Sequence, residues 1–170
     1  MLILLSPVWT IVLNVFAWLS IHFGISYACV RMSNSLFKED TWLFKERSWE
    51  QDGKIYEKIQ IKKWKRLAPD GGAFFRRGFR KKKLLETNIL YLHQFVLETR
   101  RGELAHWLSI IPACLFFMWN SPSAGVIMFA YAILFNVPFI LIQRYNRVRL
   151  MRVVNRKNLK NEMVQLVSMK

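Results

Sequence analysis

Acidic side chains are scarce in this chain and cysteines scarcer. Eleven Asp and Glu stand against 26 Lys and Arg in 170 residues, a net charge of +15. The two cysteines, Cys29 and Cys114, lie in separate apolar stretches. A disulfide scaffold is therefore excluded, and neither thiol has the electropositive setting that makes a nucleophile. Internal repeats are also absent. What is present is charge-free sequence, since residues 2–30 and 107–143 hold no Asp, Glu, Lys or Arg. A content of 53% hydrophobic residues beside such a charge does not describe a soluble globule. The two properties are segregated along the chain, which is the pattern of an integral membrane protein with basic polar segments.

The predicted fold is an all-α membrane protein, a single integral domain over 1–170 with three transmembrane helices. They comprise an N-terminal span at 2–30 and a helical hairpin at 104–120 and 123–143. A basic, amphipathic cytoplasmic segment, 31–103, precedes the hairpin, and a basic tail, 144–170, follows it. The first run measures roughly 40 Å as a helix, more than a hydrocarbon core of about 30 Å, so it crosses with tilt. No basic segment precedes it, and Ser26-Tyr27-Ala28-Cys29 is a poor cleavage site, which argues against a removed signal peptide. Asn120-Ser121-Pro122-Ser123 has turn chemistry and leaves room only for an antiparallel hairpin. Pro112 and Pro138 should kink the two helices, with Asn136 a local partner for a carbonyl that Pro138 frees. Because the second stretch is short, its helix should begin upstream, around Thr87 to Arg101.

Charge sets the orientation. The segment 31–103 carries 18 Lys or Arg against 10 acidic residues, and the tail 8 against 1, while the N-terminus and the Asn120 turn carry no basic residue. The positive-inside rule places the N-terminus outside and both basic segments in the cytoplasm of a multi-pass cell-membrane protein. The run Arg76-Arg77-Gly78-Phe79-Arg80-Lys81-Lys82-Lys83 reads as a patch for anionic lipid headgroups or for a phosphorylated donor. Nucleic acid is not an expected partner. Between Gly53 and Lys65 aromatics alternate with lysines, which fits either a short strand or an amphipathic interfacial helix. Pro69-Asp70-Gly71-Gly72 should be a tight turn, with Asp70 either a turn former or a carboxylate presented to a site.

Two polar clusters sit at the ends of the predicted hairpin, Glu103-Leu104-Ala105-His106-Trp107 and Gln143-Arg144-Tyr145-Asn146-Arg147. If the chain crosses and returns, both lie on one face. Glu103 and His106 share a helix face, so the carboxylate can orient the imidazole as a general base for a hydroxyl, or simply satisfy polarity at the interface. Glu-x-x-His also supplies metal ligands in some bundles, but the apolar helices offer only His22 besides, so no metal is expected. A single Arg at a helix C-terminus is usually an anchor. Guanidinium forks beside amides, as in Gln143, Arg144, Asn146 and Arg147, could hold a phosphate or a developing oxyanion.

The stretch from Glu98 to Pro112, which includes Arg100, resembles the glycosyl-4,4'-diaponeurosporenoate acyltransferases, small bacterial membrane proteins of carotenoid glycolipid synthesis. So do Asn136-Val137-Pro138, Gln143 to Leu150, and Lys63-Trp64-Lys65 with Asp70-Gly71. Counting Asn136 to Leu150 as one, three separate motifs occur in order, and the likeness covers roughly residues 36 to 150. Val148 stands where the family often has Pro. The resemblance implies transfer of a fatty acyl group onto a sugar hydroxyl of a lipid-linked glycoside. The donor would be an acyl-CoA, an acyl carrier protein or similar, with no bound cofactor. Without a His-x-x-x-x-Asp motif or a serine nucleophile elbow, transfer would be direct. His106 would be the base and Glu103 its orienter. Asn146, Arg147, Arg144 and Tyr145 would steady the oxyanion or donor, and Lys63, Trp64, Lys65, Asp70, Arg100 and Gln143 would complete the binding wall. Membrane lipids, the glycoside acceptor and the donor are the expected partners, and a second copy could complete the lipid groove. The alternative is a non-catalytic anchor that assembles lipid-modifying enzymes.

Overall fold

A computed structural model describes residues 3–39, 41–68 and 84–168, with side chains to residue 165. Among these residues all regular structure is helical, and no strand forms. The chain divides into two compact units, one made of Met1–Met32 with Arg101–Ile140 and the other of Ser33–Arg100 with Leu141–Lys170.

In the first unit, α1 (Pro7–Arg31) starts on a proline whose missing N–H costs nothing in a first turn. The chain next enters this unit through the last turns of α4 (Ile89–Ile110). As the short second stretch required, that helix begins well upstream, where Asn88 Oδ1 caps it by accepting from the Tyr91 N–H at 2.7 Å. Pro112 then cannot donate to the preceding turn, and Ile111–Met118 winds as a 3-10 helix rather than continuing as a kinked α-helix. Eight residues at about 2.0 Å instead of about 1.5 Å each lengthen this apolar arm by roughly 4 Å. The Asn120 side chain closes its end by donating to the Phe116 carbonyl at 3.0 Å. The last helix, α5 (Pro122–Ser168), follows at once.

Contacts within the unit fix its directions. Arg101 donates to the Met32 carbonyl at 3.2 Å, Phe116 stacks on Trp18 at 4.6 Å, and Asn120 bonds Asn14 at 3.0 and 2.8 Å. The segment 101–118 therefore runs antiparallel to α1. Tyr131 meets Trp18 and Phe135 meets His22, each at 5.1 Å, so the start of α5 runs parallel to α1. Trp18, Ala113, Phe116 and Ala132 form the core. The outer faces stay apolar, with Val8, Trp9, Phe16, Val126 and Leu134 among the exposed side chains. Among the described residues, α1 and α5 are the two helices long and apolar enough to cross a membrane.

In the second unit, Leu92, Phe95 and Val96 of α4 bury against Leu150 and Val154 of α5. A second cluster joins Tyr56 and Ile61 to Ile142 and Tyr145. The stretch from Gly53 to Lys65, which allowed a strand, is helical: α2 (Lys54–Lys58) and α3 (Ile61–Leu67) are broken by left-handed Gln60 at φ 57°. Before α2 the 3-10 turn Ser48–Gly53 contains three left-handed residues, Gln51, Asp52 and Gly53, at φ 47°, 56° and 83°. A side chain at Gly53 would also crowd Val148, whose Cγ1 would lie 3.4 Å from the added carbon.

Candidate active site

His106 lies half-buried on α4, one helical turn from the fully buried Glu103. Its Nδ1 is 2.9 Å from Oδ1 of Asn136 on α5. The Asn136 amide cannot be turned around, because its Nδ2 donates to the Ala132 carbonyl at 2.9 Å. Oδ1 must therefore accept, so His106 carries a proton on Nδ1. Phe139, one turn further along α5, stacks on the imidazole at 4.9 Å with planes 9° apart. Asn136 and Phe139 together hold the ring in one plane with Nδ1 bonded, an orientation that a general base for a hydroxyl needs. Asn136 thus serves His106 rather than the Leu134 carbonyl freed by Pro138. Glu103, expected to orient the base, accepts from Trp107 Nε1 at 3.4 Å.

The second hairpin-end cluster belongs to the other unit. There Arg144 forks onto the fully buried Glu50, Nε to Oε1 and Nη2 to Oε2, both at 2.9 Å. Nη1 and Nη2 also donate to the Leu43 and Lys45 carbonyls at 3.0 Å. Glu50 accepts further from the Tyr56 hydroxyl and, at 2.6 Å, from the Arg47 N–H. Burial alone would raise the Glu50 carboxyl, but the bonds from Arg144, Tyr56 and Arg47 outweigh it and hold it below the usual carboxylate range. Burial and the same carboxylate push the Tyr56 phenol well above its ordinary value. Phe44, between the two clamped carbonyls, lies under the Arg147 guanidinium at 5.8 Å.

Further residues expected to bind substrate gather in this unit. Lys65 Nζ donates to Asn146 Oδ1 at 2.8 Å, which turns the Asn146 Nδ2 donors the other way. Tyr145 is buried and its hydroxyl accepts from Arg149 at 2.9 Å. Arg100 donates to the Phe37 and Lys38 carbonyls at 2.6 and 2.8 Å. Gln143 has a buried Oε1 with no hydrogen-bond partner among the described residues. Lys63 and Trp64 are exposed on α3. Asp70 and the basic run 76–83 lie outside the described residues.

Three residues escape a reading of the sequence: Asn136 in its role on His106, Phe139 on the same ring, and Glu50. The available signals are faint. Asn136 is a lone amide in a charge-free helix, and an acidic residue is scarce enough here that one facing a buried Arg is conspicuous only once the fold is known.

A family model described as glycosyl-4,4'-diaponeurosporenoate acyltransferase matches residues 40–156. A relative of that name from Staphylococcus aureus is 33% identical over 144 residues, covering 82% of this chain and 87% of its own. Another, from Staphylococcus haemolyticus, is 37% identical over 135 residues, 78% of each chain. No solved structure matches. The matched span includes His106 and Arg147, and by this match and these relatives the chain belongs to the glycosyl-4,4'-diaponeurosporenoate acyltransferase family and is an acyltransferase.

Proposed function

We propose that this chain works in the cell membrane and transfers a fatty acyl group from an activated thioester onto a sugar hydroxyl of a lipid-linked glycoside, with His106 as the general base. The acceptor class follows the relatives' name, a glycosylated diaponeurosporenoate. The observation that supports the chemistry is the His106–Asn136 bond, which engages Nδ1 and makes Nε2 the basic atom of the neutral ring. In the reaction Nε2 takes the proton of the acceptor hydroxyl as its oxygen bonds to the acyl carbonyl carbon. The tetrahedral intermediate collapses, the carbon–sulfur bond breaks, and the imidazolium returns its proton to the departing thiolate. The products are an ester and a free thiol.

Within the second unit the exposed Lys63 and Trp64 of α3 are assigned to the anionic headgroup region. Arg144 and Arg100 act as positioning residues, since their donors hold the backbone carbonyls at 43, 45, 37 and 38. Three crossings, with the N-terminus outside and the tail in the cytoplasm, accord with the charge asymmetry and with α5 starting parallel to α1.

The test is transfer by the purified full chain in lipid nanodiscs, with a palmitoyl thioester and a glycolipid acceptor. His106→Ala should lower kcat by about 10²- to 10⁴-fold while the protein stays folded. Transfer at the wild-type rate by folded His106→Ala would remove the base from the account.

A further inference from the structure

Phe139, Phe135 and Tyr131 are spaced at i, i+4 and i+8 along α5 and form one ridge. Their rings touch in sequence, Phe139 to Phe135 and Phe135 to Tyr131 each at 5.5 Å. The ridge begins on the candidate base, because Phe139 stacks on His106. It is flanked by α1, where His22 meets Phe135 and Trp18 turns its edge to Tyr131. Neighbours on the same helix differ in character. Leu134 and Ile127 are aliphatic and 74% and 62% exposed, whereas Phe135 and Tyr131 are 41% and 42% exposed with part of each ring against α1. A half-covered aromatic trough, its successive rings tilted by 50° and 24°, thus leads away from the imidazole along α5.

We propose that this trough binds the hydrocarbon chain of the acyl donor, an assignment that rests on the acyl-transfer reading above. Geometry selects the donor over the acceptor. An acyl chain is attached directly to the carbonyl carbon that reacts beside His106, so its first methylenes must lie within a few ångströms of the imidazole, where Phe139 is. The acceptor's apolar part is held away from the reacting hydroxyl by a whole sugar ring and cannot start there. The trough has a definite length. From Phe139 to Tyr131 the helix advances about 12 Å, which matches about ten carbon–carbon bonds of an extended chain at roughly 1.2 Å each. Past Tyr131 the next ridge position is Ile127, and the aromatic floor ends. The trough therefore reads the first ten or so carbons and leaves the remainder to lipid.

Two measurements on the full chain in nanodiscs test this. In the first, a palmitoyl thioester of coenzyme A carrying a mid-chain diazirine is photolysed on His106→Ala, so that binding is read without turnover. The label should map to Phe135 and Tyr131, and fall about tenfold in Phe135→Ala but not in the outward-facing control Leu134→Ala. In the second, KM for saturated thioesters should decrease with chain length up to about ten carbons and then level. Tyr131→Ala should raise KM for long donors about tenfold while kcat stays within about twofold. Label on Leu134 and Val126 would mean that bulk lipid covers the ridge, and protection by an alkyl glycoside instead of the thioester would give the trough to the acceptor. Either result overturns the proposal. Absence of transfer with every donor would count against the acyl-transfer reading, while the labelling pattern would still decide the occupant of the trough.

Discussion

At the scale of single residues, two buried polar contacts carry different burdens. The Asn136–His106 bond decides a tautomer, so Asn136→Leu should reduce kcat by about a hundredfold or more, with KM nearly unchanged. A merely structural Asn136 would instead show a lower melting temperature at normal kcat. The Glu50–Arg144 fork decides stability. Replacing Glu50 with Ala leaves a buried guanidinium without its anion, at a cost of about 3–5 kcal/mol, read as a lower unfolding midpoint in detergent. Its pH dependence follows from the direction of the shift. Glu50 has a folded value below its unfolded one, so its stabilisation is full above the ordinary carboxylate range and is lost as pH falls through the lower folded value. Tyr56 is shifted upward, so its contribution is full below the ordinary phenol range and is lost as pH rises through the raised folded value. Melting curves across pH should show an acid limb in the wild type that Glu50→Gln flattens. An unchanged acid limb in that variant would assign acid sensitivity to other carboxylates.

Among the elements, the hairpin tip is closely fitted. A Cβ added at Gly125 would fall 2.5 Å from the Phe117 ring, so the space that glycine opens in α5 is taken by that ring and not by lipid. Gly125→Val should destabilise by about 1–3 kcal/mol, and adding Phe117→Ala should recover part of the loss, measured as thermal midpoints of the single and double variants. Equal melting of wild type and Gly125→Val would show that the tip is loosely packed. α1 and the start of α5 were legible in the sequence from a charge-free run and a turn tetrapeptide, but α5 continues to Ser168, past the expected end at 143, because no helix breaker follows Pro138. The 3-10 arm at Ile111–Met118 was not, since Pro112 announces a break without saying whether the chain kinks or tightens. Gly53 to Lys65 resisted assignment for a related reason. Its alternating rings and lysines satisfy a period of two, and the left-handed Gln60 that splits it into two short helices has no strong local code.

For the whole molecule, charge segregation predicts topology. Cysteine introduced at Ser123 should react with an impermeant maleimide on intact cells, and cysteine at Lys160 only after permeabilisation, in a background lacking Cys29 and Cys114. The reverse pattern would invert the assignment. His106 and the Gln143 to Arg147 cluster stood out in the sequence because polar groups are rare beside charge-free helices. Their partners did not, since Asn136 is 30 residues from His106 and Glu50 is 94 from Arg144, and only the fold closes such distances. The central claim, acyl transfer with His106 as base, meets its most direct test in total lipid extracts analysed by mass spectrometry. They would come from a deletion strain complemented with wild type or with His106→Ala at equal expression. The account predicts that one acylated glycolipid class disappears on deletion, its unacylated glycoside accumulates, and only the wild-type gene restores the ester. Restoration by His106→Ala, or a deletion strain with an unchanged lipid profile, would contradict it.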